Sequence, residues 1–432
     1  RRSASRCSGS SVKEPLNNAL CSLPPTGFAS TVVNADNQGH SVPMVAVPLH
    51  PAETIVSNSD VVISGTGLWT PPLSISNDEL VASFNQYVQR YNAEHADAIA
   101  SGELEPLEVS NAEFIEKASG IKSRHVIDKE GILDPTRLCP RIAERADDEV
   151  SVQAEMAIKA IHKALQQAGR QVADVDAILV ACSNMTRAYP AVSVEVQHYL
   201  GMERGWAYDM NVACSSATFG IQAAVDSIRN GSADCVVVVN PEICSAHLAW
   251  QDRDCHFIFG DVATAIVLER ADRASAATQW QVLGTRLQTR FSSNIRNNFG
   301  FLNRCDERGV GARDKLFYQE GRKVFKEVCP MVAEQIVDHL GSLSLTPAAL
   351  KRMWLHQANL SMNELIAKRV LGRPVDRVEA PVILDEYANT SSAGSIVAFH
   401  RYRDDLAVGD HGVICSFGAG YSIGSVIVER RS

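Results

Sequence analysis

Hydrophobic positions in the first half of the chain follow helical and strand periods in turn. Residues 151–168 carry apolar side chains three and four positions apart, and Gly169 follows them as a stop. The run 177–183, "AILVACS", is short and continuously apolar, which is typical of a strand buried on both faces. This alternation indicates βαβ units on a mostly parallel sheet. It continues in helices predicted near 191–200 and after Cys214, and in strands predicted at 205–214, 234–240 and 263–269.

The second half of the chain shows a similar order of elements. We therefore predict an α/β fold of two duplicated βαβ halves with mixed sheets, although no sequence repeat is visible. The first half is assigned to 59–275 and the second to 276–432. The elements predicted in the second half are a strand at 280–288, a long helix at 317–341, a strand end at 352–359, a helix after 389–395 and two closing strands.

Two segments stand outside this pattern. Residues 85–150 are polar and charged, and we interpret them as an elaborated surface insertion of the first half that is helical in part. Residues 1–58 are rich in Ser, Asn and Pro, poor in acidic residues and without a sustained period, which favours a disordered or leader extension. A Ser- and Arg-rich leader is typical of an organelle transit peptide, but an extension of another kind fits equally well.

Composition and charge narrow the class of protein. The chain has 432 residues, of which 45% are hydrophobic and 21% charged, as in ordinary globular proteins. Its net charge of -9 disfavours a nucleic-acid-coating surface, and no apolar run reaches the ~18 residues of a membrane span. The 11 cysteines form no CxxC pair and no metal-ligand spacing, so we expect reduced thiols, no metal and no cofactor. This favours a cytoplasmic protein, or one of a plastid or other organelle stroma if the leader is a transit peptide.

Cys214 is the first candidate for chemistry. It lies between the strand predicted at 205–214 and a helix with apolar residues at i, i+3, i+4 and i+7. The free N–H groups and the positive end of the dipole at a helix N-terminus favour a thiolate, which would make Cys214 a nucleophile. A lone cysteine before a helix more often only fills space, so other residues must decide between the two interpretations.

Three further stretches bear on that decision. His356 and Asn389 each follow a predicted strand end, and the glycines of 416–425, "SFGAGYSIGS", allow a tight turn with N–H groups directed at a ligand. Because ligands gather at the carboxyl ends of strands in α/β sheets, these residues can converge on one pocket with Cys214. Taken singly, each is weak evidence, since the histidine suits a structural hydrogen bond, the asparagine a helix cap and the glycines a hairpin.

Together these motifs resemble those of the β-ketoacyl-acyl-carrier-protein synthases III of the thiolase superfamily. The resemblance implies a thiolase-like five-layered αβαβα fold, a homodimer, and a catalytic triad of Cys214, His356 and Asn389. By register with the family, the backbone N–H groups of Cys214 and Ala419 form the oxyanion hole. The resemblance covers roughly 60–430 and includes "SGIKSRHV" (119–126), "AYPAVSVEVQHYLG" (188–201), "FGDVATAIVL" (259–268), "HQANL" (356–360), "NTSSA" (389–393) and "FGAGYSIGS" (417–425).

The implied reaction is a decarboxylative Claisen condensation in fatty acid biosynthesis. An acyl group from acyl-CoA or an acyl-carrier protein is loaded on Cys214, a nearly thermoneutral step because one thioester replaces another. Malonyl-acyl-carrier protein then loses carbon dioxide, and its enolate attacks the loaded acyl group. His356 and Asn389 are neutral hydrogen-bond donors, and these suit a developing enolate oxygen because a carboxylate there would repel it.

The resemblance also implies residues that contact the partners. Lys326, Lys368 and Arg369 match the family's docking residues for the acidic carrier protein, although a solvated helix face explains them equally well. Tyr189 matches the residue that reaches across the dimer to bound the acyl tunnel, for which dimer packing is the alternative.

The chain departs from the family at the expected coenzyme A site. Phe114 and Ala118 stand where the family has the Trp and Arg that stack the adenine; Phe114 can stack a nucleotide and Ala118 cannot. Ser361 replaces an Arg that grips the pantetheine phosphate, and Ile423 replaces a Trp. We therefore expect an altered acyl donor or acceptor, such as a longer primer, a chain already on a carrier, or a specialised pathway.

Two other functions remain open from the sequence. The first is a related acyl transferase or polyketide-type synthase that uses Cys214, His356 and Asn389 on another acceptor. The second is a non-catalytic partner subunit, which predicts a lost nucleophile and is therefore disfavoured by the presence of Cys214.

Overall fold

The structure is a computed structural model that describes residues 60–305, 307, 309 and 312–432. The extension predicted at 1–58 lies outside the described residues. Within them, no helix is long and apolar enough to cross a membrane. The nine cysteines in these ranges are all free thiols.

Thirteen strands are assigned in the described residues. They are β1 (Val61–Trp69), β2 (Leu73–Ser76), β3 (Ser123–Val126), β4 (Ala177–Ala181), β5 (Trp206–Met210), β6 (Cys235–Ile243), β7 (Asp261–Arg270), β8 (Trp280–Ser292), β9 (Ile295–Arg296), β10 (Tyr318–Gln319), β11 (Leu350–Leu355), β12 (His411–Gly418) and β13 (Gly420–Arg430).

Eleven α-helices connect these strands within the same ranges. They are α1 (Asn77–Glu94), α2 (Ala96–Ala100), α3 (Ala112–Ser119), α4 (Glu130–Leu133), α5 (Val152–Ala168), α6 (Val192–Tyr199), α7 (Ser216–Arg229), α8 (Gly321–Ser342), α9 (Leu360–Leu371), α10 (Leu384–Tyr387) and α11 (Gly394–Arg401).

The strand pairing repeats between the two halves of the chain. Nine strands form one mixed sheet in the order β11-β12-β13-β8-β1-β7-β6-β4-β5. In the first half, β4 pairs with β6 in parallel, and β6–β7 and β7–β1 are antiparallel. In the second half, β11 pairs with β12 in parallel, and β12–β13 and β13–β8 are antiparallel. The two sets meet where β1 pairs with β8, so the duplication predicted from element order is present in the sheet.

With the helices, the two halves of this sheet form five layers. Helix α5 packs on β1, β6 and β7 at one outer face, and α8 packs on β8, β12 and β13 at the other. Helices α7 and α11 contact strands of both halves, so they form the central layer. The resulting order is the predicted αβαβα arrangement.

Local sequence signals explain how closely these layers pack. Helix α5 begins at the N-cap Ser151 and ends at Gly169, whose φ of 67° is left-handed. Strand β1 approaches this helix at Gly67, where an added Cβ would lie 1.9 Å from the Ala160 carbonyl oxygen. Only a glycine permits this contact, which fixes β1 against the outer helix layer.

Part of the predicted surface insertion is buried. Ile115, Ile121, Val126 and Ile132 are fully buried in a cluster that also contains Phe259, so the expectation of a surface segment at 85–150 is wrong for this part. The polar composition of the segment concealed these anchors because they stand alone or in pairs between polar and charged residues. The segment is helical in part, as predicted.

Candidate active site

Cys214 lies on a tight turn between β5 and α7. A 3₁₀ turn, Ala213–Ser215, leads directly into the helix, so the thiol is at the helix N-terminus as the sequence predicts. Ala213 has a φ of 47°, in the left-handed region that a residue with a Cβ rarely adopts. Backbone strain of this kind persists only where the surroundings enforce it, and it is common at functional sites.

The β12–β13 turn of the other half covers the thiol. At Gly418 an added Cβ would lie 2.5 Å from the Cys214 Cβ and 2.9 Å from Sγ, so any side chain there would displace the cysteine. The neighbouring Ala419 places its backbone N–H in hydrogen-bond contact with the Cys214 sulfur. The structure therefore brings together Cys214 and Ala419, which are more than two hundred positions apart in the sequence.

His356 follows the end of β11 and is buried. Its backbone N–H donates to the Cys415 carbonyl at 2.8 Å, and its ring stands edge to face on Phe417 at 5.2 Å between centroids. Burial lowers the pKa of His356 to about 4, opposed in part by a backbone hydrogen bond to Ser391. The imidazole is therefore neutral near pH 7. Its Nδ1 has no hydrogen-bond partner among the described residues.

Asn389 is held in place through its backbone and its side-chain oxygen. Its N–H donates to the Ile258 carbonyl at 2.9 Å, and its carbonyl accepts from the Gly260 N–H at 3.1 Å. The Ser391 N–H donates to the side-chain Oδ1 at 2.9 Å. Because a backbone N–H can only donate, this contact fixes the amide orientation and leaves the NH₂ group of Asn389 as a donor.

Ser391 connects these residues to the cysteine. Its hydroxyl lies 3.5 Å from the Cys214 sulfur. Asn389 is the site residue predicted in this stretch from the sequence, and Ser391 was not predicted. The available signal was the hydroxyl-rich sequence "NTSS", which also suits a helix cap.

Glu242 is a second residue that the sequence analysis missed. Its fully buried carboxylate accepts from the Ser183 N–H at 3.0 Å and from the Ser392 N–H at 3.2 Å, and both serine hydroxyls also donate to it. It therefore ties the loop after β4 in the first half to the segment that carries Asn389. The signal was an acidic residue at the end of the otherwise apolar run "CVVVVNPE".

The resting site favours a thiol rather than a thiolate at Cys214. Burial raises the pKa of Cys214 to about 11, and the Glu242 carboxylate acts in the same direction. Hydrogen bonds from Ser391, from the Ala419 N–H and from the Cys214 N–H oppose this increase. Our expectation of a thiolate at the helix N-terminus is wrong for the resting protein, because desolvation outweighs these donors.

The remaining predicted residues lie outside this buried cluster. Tyr189 is 85% exposed on the single chain, just before α6. Lys326 on α8 and Lys368 and Arg369 on α9 are exposed, and these two helices pack against each other.

Phe114 has a partner that the sequence analysis did not find. The Arg253 guanidinium lies over the Phe114 ring at 4.5 Å, and Phe257 meets the same ring edge to face at 5.9 Å. The Ala118 carbonyl accepts a hydrogen bond from the Asn359 side chain at 2.7 Å. Arg253 is 139 positions from Phe114 in the sequence, and no local pattern joins them.

Comparison with known proteins identifies the family. The chain matches the description "3-Oxoacyl-[acyl-carrier-protein (ACP)] synthase III" over residues 208–290 and the C-terminal part of that family over residues 340–430. It is 62% identical over 349 residues to the β-ketodecanoyl-[acyl-carrier-protein] synthase of Pseudomonas aeruginosa, covering 81% of this chain and 99% of the relative. The chain belongs to the 3-oxoacyl-[acyl-carrier-protein] synthase III family. The predicted activity, that of a condensing acyltransferase of fatty acid biosynthesis, is thereby confirmed.

More distant relatives agree with this assignment. The β-ketoacyl-[acyl-carrier-protein] synthase III of Granulibacter bethesdensis is 30% identical over 371 residues, covering 85% of this chain and 98% of the relative. Among solved structures, the priming β-ketosynthase of the R1128 polyketide pathway has a TM-score of 0.69 at 23% identity, with 88% of this chain and 98% of that one covered. The synthase III of P. aeruginosa has a TM-score of 0.66 at 22% identity, with coverage of 86% and 99%. These two structures confirm the predicted fold.

Proposed function

We propose that the chain condenses a medium-chain acyl thioester with malonyl-acyl-carrier protein, with Cys214 as the acyl carrier. The observation that carries this substrate class is the 62% identity to a synthase named for a β-ketodecanoyl product. That product has ten carbons, of which malonate supplies two after decarboxylation. The acyl group loaded on the sulfur therefore has eight carbons.

The contacts around Cys214 support its role as nucleophile. The sulfur attacks the thioester carbonyl carbon, the bond from that carbon to the donor sulfur breaks, and the Cys214 thiol loses a proton while the departing thiolate takes one up. The tetrahedral oxyanion is stabilised by the N–H groups of Cys214 and Ala419. Removing one such donor typically costs about 2.7–4 kcal/mol of barrier.

His356 and Asn389 support the second half-reaction. As malonyl thioester loses carbon dioxide, negative charge develops on the thioester oxygen. The neutral imidazole of His356 and the free NH₂ of Asn389 are donors that stabilise this enolate in a buried site. The enolate carbon then attacks the acyl group on Cys214, and the cysteine sulfur departs as the leaving group.

We assign the carrier protein to the face of α8 and α9. Lys326, Lys368 and Arg369 are exposed there on adjacent helices, and cations on this face complement an acidic carrier despite the net charge of -9. If the donor is a coenzyme A thioester, Phe114 is the proposed stacking residue. Because Arg253 already covers one face of that ring, the nucleotide must stack beside the guanidinium or displace it.

We also propose a homodimer formed along β5. This strand is at the edge of the nine-stranded sheet, and its side chains Trp206 and Tyr208 are each 37% exposed. An unpaired edge with exposed aromatic residues is a surface that proteins normally cover. A second copy paired on β5 would also cover the exposed Tyr189, whose proposed role is to bound the acyl tunnel of the partner. The free cysteines favour a reducing, cytoplasmic compartment.

The test is intact mass spectrometry after incubation with acetyl-CoA, octanoyl-CoA and octanoyl-acyl-carrier protein. We expect an octanoyl adduct on the wild type and none on Cys214→Ala, and a β-ketodecanoyl product once malonyl-acyl-carrier protein is added. The two octanoyl donors distinguish coenzyme A from a carrier as the source. An adduct from acetyl-CoA alone would overturn the medium-chain assignment, and the same adduct on Cys214→Ala would overturn the nucleophile.

A further inference from the structure

Ser391 contacts each of the three residues proposed for catalysis. Its hydroxyl lies 3.5 Å from the Cys214 sulfur, and its N–H donates to the Asn389 Oδ1 at 2.9 Å. Its backbone also forms a hydrogen bond with His356. One residue thus touches the nucleophile through its side chain and both proposed enolate donors through its main chain.

The conformation of Ser391 is costly and is enforced by its surroundings. Its φ of 49° is in the left-handed region, which is sterically unfavourable for a residue with a Cβ. The next residue, Ser392, is held by its N–H and hydroxyl on the buried Glu242 carboxylate. This anchor keeps the turn in place and directs the Ser391 hydroxyl at the sulfur. A glycine would relieve the strain but would lose the hydroxyl.

We propose that Ser391 is a further catalytic residue, whose hydroxyl donates a hydrogen bond to the Cys214 sulfur and stabilises the thiolate that attacks the acyl thioester. This inference rests on the proposed function, in which Cys214 is the nucleophile. Because the site is buried and Glu242 lies nearby, the thiolate needs such donors, and a hydroxyl is a stronger donor than an S–H group.

The hydroxyl takes part without transferring its proton. While Cys214 is a thiolate, the Ser391 O–H donates to the sulfur. When the new bond from sulfur to the acyl carbon forms, the sulfur loses its negative charge and becomes a weak acceptor. The proton lost when Cys214 becomes a thiolate passes to solvent, the departing donor thiolate takes up a proton in turn, and Ser391 keeps its own proton throughout. The hydrogen bond therefore stabilises the nucleophile before each acylation and again when the sulfur leaves after condensation.

The test measures the pH dependence of Cys214 alkylation and needs no acyl substrate. Wild type, Ser391→Ala and Ser391→Gly react with iodoacetamide from pH 6 to 10, and peptide mass mapping follows Cys214 separately from the exposed Cys139 and Cys305. Losing a hydrogen bond to a charged sulfur is expected to move the alkylation profile to higher pH by about one unit. At a fixed pH this corresponds to an alkylation rate about tenfold lower. Ser391→Gly should show the same shift, since it removes the hydroxyl without adding backbone strain.

The matched control is Ser395→Ala. It removes another fully buried serine hydroxyl from the same segment, one that contacts Ser416 at 2.8 Å and not Cys214. Its alkylation profile should coincide with that of the wild type. Unchanged profiles in both Ser391 variants, or an equal shift in Ser395→Ala, would overturn the proposal. A wild type that alkylates normally but takes no acyl group would instead contradict the proposed function alone.

Discussion

In the first half of the molecule, the turn before the central helix α7 carries Cys214; in the second half, the turn before the central helix α11 carries Ser391 and Ser392. Both are 3₁₀ turns that contain a residue with positive φ, Ala213 at 47° and Ser391 at 49°. The duplicated pairing of strands has thus placed equivalent turns face to face. One presents a nucleophile and the other presents hydroxyl groups.

The strands that end beside these turns extend the comparison. Past the end of β12 in the second half, Ala419 donates its N–H to Cys214 in the first. Near the end of β6 in the first half, Glu242 accepts from Ser392 in the second. Each half therefore supports the turn of the other. The Cys214 turn receives a neutral N–H donor, and the turn with Ser391 and Ser392 receives a carboxylate acceptor. Equivalent positions in a duplicated fold can serve chemistry in one half and structure in the other.

The largest expected effect comes from removing the enolate donors of the second half. We expect His356→Ala and Asn389→Ala each to lower the condensation rate by about 10²–10³-fold, since each removes one donor from the developing negative charge. Acylation of Cys214 should persist in both variants. The measurement is carbon dioxide release from malonyl-acyl-carrier protein alongside the intact mass of the acyl adduct.

If either variant lost acylation and decarboxylation to the same extent, the assignment of acylation to the first half and of enolate stabilisation to the second would be contradicted. The matched control is Asn363→Ala, which truncates a buried asparagine of α9 whose side-chain atoms have no hydrogen-bond partner among the described residues. It should affect neither half-reaction.

Glu242→Ala tests the supporting contact. The change leaves the N–H groups of Ser183 and Ser392 buried without their acceptor, so we expect it to lower the free energy of unfolding by about 3 kcal/mol. Urea denaturation followed by circular dichroism measures this loss. Glu379→Ala, which removes an exposed ion pair with Arg373, should cost less than about 1 kcal/mol and serves as the control. Equal losses in the two variants would refute a structural role for the buried carboxylate.

Gly418→Ala tests the reactive contact. The new Cβ would lie within 2.9 Å of the Cys214 sulfur, so the thiol must move, and a displacement of about 1 Å typically costs about 10²-fold in rate. The acylation rate with octanoyl-CoA measures this loss. Gly341→Ala, in α8 with open space around the added Cβ, should leave the rate unchanged. If Gly418→Ala were acylated at the wild-type rate, the β12–β13 turn would not fix the position of the sulfur.

The smallest expected effect is on the acid stability of the first half. Burial lowers the pKa of His247 to about 4, whereas an unfolded histidine titrates near 6.5. Below pH 6.5 the unfolded chain binds a proton that the folded protein does not, so stability falls as the pH falls towards 4. His247→Leu should remove about 1.2 kcal/mol of the loss of stability between pH 7 and 5.5, measured by urea unfolding at both pH values. Phe259→Leu, which alters the ring beside His247, should lower stability equally at both.

Much of the architecture could be predicted from the sequence. Helices and strands of the two halves were predicted at 151–168, 177–183 and 234–240, and α5, β4 and β6 lie there. These elements have long apolar runs or regular periods, and local sequence is sufficient to specify them. The buried anchors of 85–150 were missed because isolated apolar residues and pairs among polar ones give no sustained period.

For the site, the sequence by itself determined which residue types were available and at which strand ends, and the motifs around Cys214, His356 and Asn389 led to the family. Only the tertiary structure decided what surrounds them. The hydroxyl of Ser391 on the sulfur, the bridge made by Glu242 and the guanidinium of Arg253 over Phe114 join positions far apart in the chain. The raised pKa of Cys214 has the same origin, because desolvation depends on every atom packed around the thiol and not on its neighbours in sequence.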